Sequence, residues 1–256
     1  MPLPKGTPVL LSAGTLCAAL LLAGCTGAAP PPRSTPAPAS AATTGDGRPV
    51  PAPAGGEPAA LRIPGIGTAT QARVPDGTTQ ALVVTGAAPD SSTALATLYQ
   101  RDPAGPWVVA AGPWPAHNAL RGWTADHSAG DLRTPVGVFR LNDAGGRLPD
   151  PGARLPYDQD EEFAISGTGF SGEPLEGSFD HVIAIDYNRV PGRTPLDKER
   201  PLGAHQGGGV WIHVDHGGPT QACIALEREA LRLLLRALDP AAEPVVVMGP
   251  APALAR

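Results

Sequence analysis

The chain has 256 residues, with 19 Lys and Arg against 24 Asp and Glu and a formal net charge of -5. That balance, with no Lys/Arg stripe and no cluster of aromatic residues for base stacking, argues against a nucleic-acid partner. The 3 cysteines are too few for a disulfide framework.

The first 25 residues carry one charged side chain, Lys5, ahead of an apolar run from Val9 to Ala23. The run is shorter than the roughly 20 apolar residues of a membrane span and has the layout of a secretory signal. It ends in Leu22-Ala23-Gly24-Cys25, which resembles a bacterial lipobox. That resemblance implies acylation of Cys25 and anchorage to the outer face of the cell membrane. Residues 26–60 are mostly Ala, Pro, Thr, Ser and Gly, with Val50 as their one large aliphatic residue. Such a segment buries too little apolar surface to offset its ordering entropy. It reads as a disordered tether spanning roughly 30 Å as a coil and on the order of 100 Å fully extended.

Residues 61–256 are long enough for one domain with a substantial core. Short runs rich in Val, Ile, Leu and aromatics, bounded by Gly and Pro, predict strands. They are Gln80–Thr85, Ala94–Gln100, Trp107–Ala111, Val136–Leu141, His181–Tyr187, Val210–Val214 and Pro244–Met248. One helix is expected over Leu226–Leu238, with Leu226, Ala230, Leu233, Leu234, Ala237 and Leu238 on one face and Asp239-Pro240 as its stop. The expected class is mainly β with one or two packed helices.

With Cys17 in the signal segment and Cys25 acylated, Cys223 is the one thiol left, without a disulfide partner. An unpaired thiol in an exported protein is reactive or awaits another chain. It follows His213, His216 and Thr220 in the stretch Ile212-His-Val-Asp-His-Gly-Gly-Pro-Thr-Gln-Ala-Cys-Ile224. Placed shortly before the expected helix, it would meet N–H groups that favour thiolate. Cys223 is the nucleophile candidate and His213 the base, with His216 a rival for that role. A zinc site of His213, His216 and Cys223 would need a fourth ligand that the sequence does not place. His117, His181 and His205 read as surface or structural residues. His127 stands out because it precedes the next motif and could border a groove.

Trp211 to Leu226 resembles the catalytic motif of the L,D-transpeptidases, the YkuD-like cell-wall enzymes. Their motif is a histidine at a strand end, a glycine-containing loop, then Ser/Thr-x-Gly-Cys and an aliphatic residue. Here it is matched by His213, Gly217-Gly218, Thr220-Gln221-Ala222-Cys223 and Ile224. Thr134-Pro135-Val136-Gly137-Val138-Phe139 resembles the family's Thr-Pro-x-Gly-x-Phe strand, and Ile185-Asp186-Tyr187-Asn188 a stretch before the catalytic strand in actinobacterial members. The resemblance spans roughly residues 105 to 250. It implies a β-sandwich of the L,D-transpeptidase type, Cys223 as nucleophile and His213 as base. It further implies oxyanion donors at the Ala222 and Cys223 N–H groups, Thr220 as loop support, and His216, Gly217 and Gly218 facing substrate. Peptidoglycan stem peptides are the implied partners, with no metal or organic cofactor and a monomeric enzyme. Two positions depart from the pattern. Ala222 stands where members have glycine, and Ala225 where many have arginine. An alanine forced to positive φ at position 222 would cost on the order of 1 kcal/mol and re-aim the N–H groups beside it. Hydrolysis of the same thioester, or a wall-binding module that retains the fold without catalysis, are the competing expectations.

Overall fold

The computed structural model describes residues 61–256. The expected signal segment, the lipidation site Cys25 and the tether over residues 26–60 lie outside the described residues. The domain is mainly β, with one large curled sheet and few helices. In chain order it contains α1 (Thr68–Gln71), β1 (Gln80–Gly86), β2 (Thr93–Gln100), β3 (Val108–His117), β4 (Trp123–Thr124), β5 (Thr134–Pro135), β6 (Gly137–Arg140) and β7 (Ala144–Gly146). It continues with β8 (Tyr157–Gln159), β9 (Val182–Ala184), β10 (Trp211–Val214), β11 (Ile224–Leu226), α2 (Arg228–Ala237), β12 (Val245–Pro250) and α3 (Ala251–Leu254). Ten strands form one sheet in the order β6-β12-β1-β2-β3-β11-β10-β9-β7-β8, and β4 pairs with β5 apart from it.

Strand alternation builds two cores, one on each face of the sheet. From β1 and β12, Leu82, Val84, Val246 and Met248 enter the larger core. Their neighbours Ala81, Val83, Val245 and Val247 enter a smaller one with Ile63, Val74, Trp107 and Leu254. Ile212 and Val214 of β10 and Ile224 and Leu226 of β11 point into the larger core. Trp211 and His213 therefore project from the other face, and Cys223, next in line before β11, projects with them.

Helix α2 seals the larger core with Leu231, Leu234 and Leu235. Its N-terminus is capped by Glu227, whose carboxylate accepts from the Glu229 and Ala230 N–H groups. Of the expected apolar face, Ala230, Leu234 and Leu238 are buried, and Leu231 and Leu235 are buried where Leu233 was expected. Leu226 belongs to β11, the buried stripe is Ala230, Leu231, Leu234 and Leu235, and Leu233 is 38% exposed. Strand β3 runs past its expected end through Gly112-Pro113-Trp114-Pro115. Pro113, ordinarily a strand breaker, falls where the β2–β3 register shifts, and Pro115 stands opposite Leu95. The predicted strand over His181–Tyr187 ends at Ala184. Beyond it Asp186 meets Arg189 at 2.6 Å and Arg189 meets Asp143 at 2.7 Å, all three nearly buried, while Asn188 turns at φ 46.

Candidate active site

Parallel pairing of β10 with β11 sets Ile212 against Ile224 and His213 against Ala225. Cys223 consequently lies beside Trp211, and His213 is its diagonal neighbour on the same face, a spacing of roughly 7–8 Å that side chains can bridge. Both residues line one cavity of about 680 Å³ that also takes in His127, Phe179, His216 and Thr220.

The sulfur of Cys223 accepts from the Trp211 N–H at 3.4 Å and its S–H points to the Gly209 carbonyl at 3.8 Å. Cys223 is half-buried, and desolvation pushes its thiol pKa up to about 11, which the Trp211 N–H only partly offsets. This corrects the expectation of a thiolate at a helix N-terminus. Residues 224–226 form β11, so the helix begins too late for its N–H groups to reach the sulfur. The resting species is the neutral thiol.

His213 is buried at 3% exposure. Its Nδ1–H donates to the Val214 carbonyl at 2.9 Å, which leaves Nε2 unprotonated. Burial is the main cause that lowers its pKa to about 4, so the ring is neutral at physiological pH. Phe179 meets it edge-on at 5.3 Å. In this resting arrangement His213 and Cys223 hold separate hydrogen-bond partners, and a catalytic pair often tightens only when substrate arrives.

His216 lies flat against His213, with centroids 5.7 Å apart and planes 11° apart. Its Nδ1 is 3.0 Å from Glu173 Oε1. The Glu173 carboxylate is held below the usual range first by its own backbone N–H, then by the Ser171 N–H and by His216. Gly169 and Gly218 pack against this carboxylate, and a Cβ on either would collide with it. Glu173 had no signal in the sequence, because it sits some forty residues upstream in a glycine-rich loop.

The loop between His213 and Cys223 is fixed at several points. Asp215 accepts from His117 at 2.9 Å and from the Gly217 N–H at 3.0 Å. Gly217 turns at φ 87 with nothing near its Cβ position, while Gly218 lies under Glu173. These two glycines shape the loop and are not among the residues lining the cavity. Thr220 donates its hydroxyl to the Cys223 carbonyl at 2.7 Å, and its backbone pairs with Asn118 and Leu120. Ala222 is absent from the left-handed residues, which among non-glycines are Leu132, Asn188 and Glu243. The alanine therefore sits there without the strain that a positive φ would impose. Among the described residues, the Ala222 and Cys223 N–H groups donate to no backbone or side-chain acceptor, as donors awaiting a developing oxyanion would. Ala225 is fully buried in β11.

His127 lines the cavity, as expected of a groove residue. It is buried, its Nδ1 lies 3.0 Å from Asp131, and its ring packs edge-on against Tyr187. Tyr187 in turn meets Phe139 of the Thr-Pro-Val-Gly-Val-Phe segment, so the two remoter motif elements meet behind His127. His181 pairs with the Tyr157 hydroxyl at 2.9 Å and His205 is exposed; neither reaches the cavity. Among the described residues no three His, Cys, Asp or Glu side chains converge as a metal site. Lys198 and Arg200, which belong to no motif in the sequence, also line the cavity. Neither protein-family models nor curated proteins give a match to this chain.

Proposed function

We propose that the protein is a cysteine acyltransferase of the L,D-transpeptidase type, tethered by a lipid on Cys25 and acting on peptidoglycan stem peptides. The observation that carries this reading is an imidazole with a free Nε2, set diagonally from the one free thiol of the described residues on one cavity face. The neutral thiol and neutral imidazole suit a reaction in which charge separates only as the bond forms.

In the first step the carbonyl carbon of the diaminopimelate-type residue is attacked by Sγ of Cys223. The thiol proton swings from Gly209 O to Nε2 of His213. The oxygen of the tetrahedral intermediate accepts from the Ala222 and Cys223 N–H groups. On collapse the C–N bond breaks, and terminal D-alanine leaves with the proton from His213. An amine of a neighbouring stem then attacks the thioester, its proton passes to His213, and the C–S bond breaks to restore the thiol. Water as the acceptor would give hydrolysis instead.

Intact-mass spectrometry with a carbapenem tests the nucleophile. One covalent adduct is expected on the parent protein and none on Cys223→Ala. Muropeptide analysis of digested sacculi then separates the outcomes. Dimers mean transfer, tripeptides alone mean hydrolysis, and an unchanged profile with sacculus binding means a non-catalytic wall-binding module.

A further inference from the structure

The cavity is electrostatically one-sided. Among the residues lining it, the Asp, Glu, Lys and Arg side chains reduce to two, Lys198 and Arg200, both cationic, in a chain of net charge -5. Lys198 is the single lysine of the described residues. The acids flanking it are already engaged, because Arg193 pairs with Asp197 at 3.1 Å and with Glu199 more closely. Among the described residues neither Lys198 nor Arg200 has a carboxylate partner.

Arg200 is preorganised. Its Nη1 donates to the Asp197 and Glu199 carbonyls at 2.9 and 2.7 Å, which fixes the plane of the guanidinium. That plane lies on Gly208 and Gly209. A Cβ on Gly208 would strike its Nε, and one on Gly209 would stand 3.4 Å from its Nη2. The Nε and Nη2 edge donates to no acceptor of the described residues. Gly209 is also the residue whose carbonyl receives the Cys223 S–H, so the free guanidinium edge and the thiol flank one glycine. The loop is pinned from below. Asn188 donates to the Gly203 and Gly207 carbonyls and accepts from the Leu202 N–H, and the Tyr187 hydroxyl donates to Gln206 O at 2.9 Å.

We propose that Arg200, assisted by Lys198, forms a carboxylate-binding subsite of this cavity, so that the ligand is a peptide bearing a free carboxylate within about one residue of the reacting carbonyl. Successive residues are 3.8 Å apart, and a planar guanidinium with a free edge matches a carboxylate in paired hydrogen bonds. The subsite rests on the proposed function for the identity of the reacting bond. On the stem peptide two carboxyls qualify, the C-terminal one of D-alanine and the side-chain one of the diamino diacid.

Calorimetry in the Cys223→Ala background separates them without turnover, using a stem tetrapeptide and the same peptide amidated at one carboxyl or the other. Arg200→Gln is expected to weaken the free peptide about 10- to 100-fold and Lys198→Gln about 3-fold, the latter vanishing at high salt. Amidation of the contacted carboxyl should weaken binding to the same degree and abolish any further effect of Arg200→Gln. Arg200→Lys should recover part of the loss. Equal weakening of all three peptides, or none, overturns the subsite alone. Failure of the Cys223→Ala protein to bind any of them overturns the subsite and the stem-peptide reading together.

Discussion

The two walls of the cavity are built on opposite physical plans. The strand wall holds Cys223 and His213 on adjacent strands, both neutral at rest, with burial raising one pKa and lowering the other. The loop wall holds Lys198 and Arg200, charged and without acidic partners among the described residues, on a segment kept in place by hydrogen bonds. Neutral reacting groups separate charge only as the new bond forms, where preorganised donors can meet it. Recognition groups gain from standing charge that a ligand can neutralise. Under the proposed function, chemistry falls to the strands and selection to the loop.

The strongest way to break this division is to remove the base. His213→Gln should lower the rate of carbapenem acylation about 10²- to 10⁴-fold while leaving equilibrium stem-peptide binding within about 2-fold. A parallel loss of binding would mean that His213 belongs to recognition as well.

The buried neutral ring also predicts a pH signature. His213 moves from its ordinary 6.5 down to about 4 in the fold, so the unfolded chain takes up the proton first. Its contribution to stability is complete above pH 6.5 and is lost as pH falls toward 4, amounting to about 3 kcal/mol. Urea midpoints measured from pH 7 to pH 4 should fall more steeply for the parent than for His213→Gln. Equal slopes would place the ring in a wetter site than described.

A smaller effect is expected at the join between the walls. Glu173→Gln removes the anion that holds His216 against His213, and should slow acylation about 3- to 10-fold with thermal stability little changed. An unchanged rate would reduce the His213–His216 stack to simple packing. The smallest effect belongs to Ala222→Gly. Because Ala222 avoids positive φ, acylation should change less than about 2-fold, and stability should fall by no more than about 1 kcal/mol. A large gain in rate would show that the alanine misdirects the oxyanion donors.

Much of this was legible in the sequence. The strands of the two cores announce themselves through runs such as Leu82-Val83-Val84 and Val245-Val246-Val247, because burial on both faces leaves no polar interruption. Cys223 stands out as the unpaired thiol and His213 through the motif resemblance, and Thr220 donates its hydroxyl to the Cys223 carbonyl within the loop. The strand Ile224–Leu226 goes unpredicted, and Leu226 reads as the first residue of the helix, because three apolar residues carry no period of their own and become a strand only through pairing with β10. Losing that strand produced the mistaken thiolate, since it set the sulfur too near the helix. Glu173 and Arg200 were illegible for a related reason. Their roles depend on contacts that long loops make with the catalytic segment, and their own neighbours in sequence carry no trace of them.

The central claim is that Cys223 forms a thioester with a stem peptide. Rapid acid quench of the protein with a stem tetrapeptide, followed by intact-mass and peptide-level mass spectrometry, measures it directly. The account predicts a mass increase equal to the tetrapeptide less D-alanine, attached at Cys223, present in the parent and absent in Cys223→Ala. Carbapenem-reactive protein that releases D-alanine with no acyl group on Cys223, or that carries the acyl group on another residue, would contradict it.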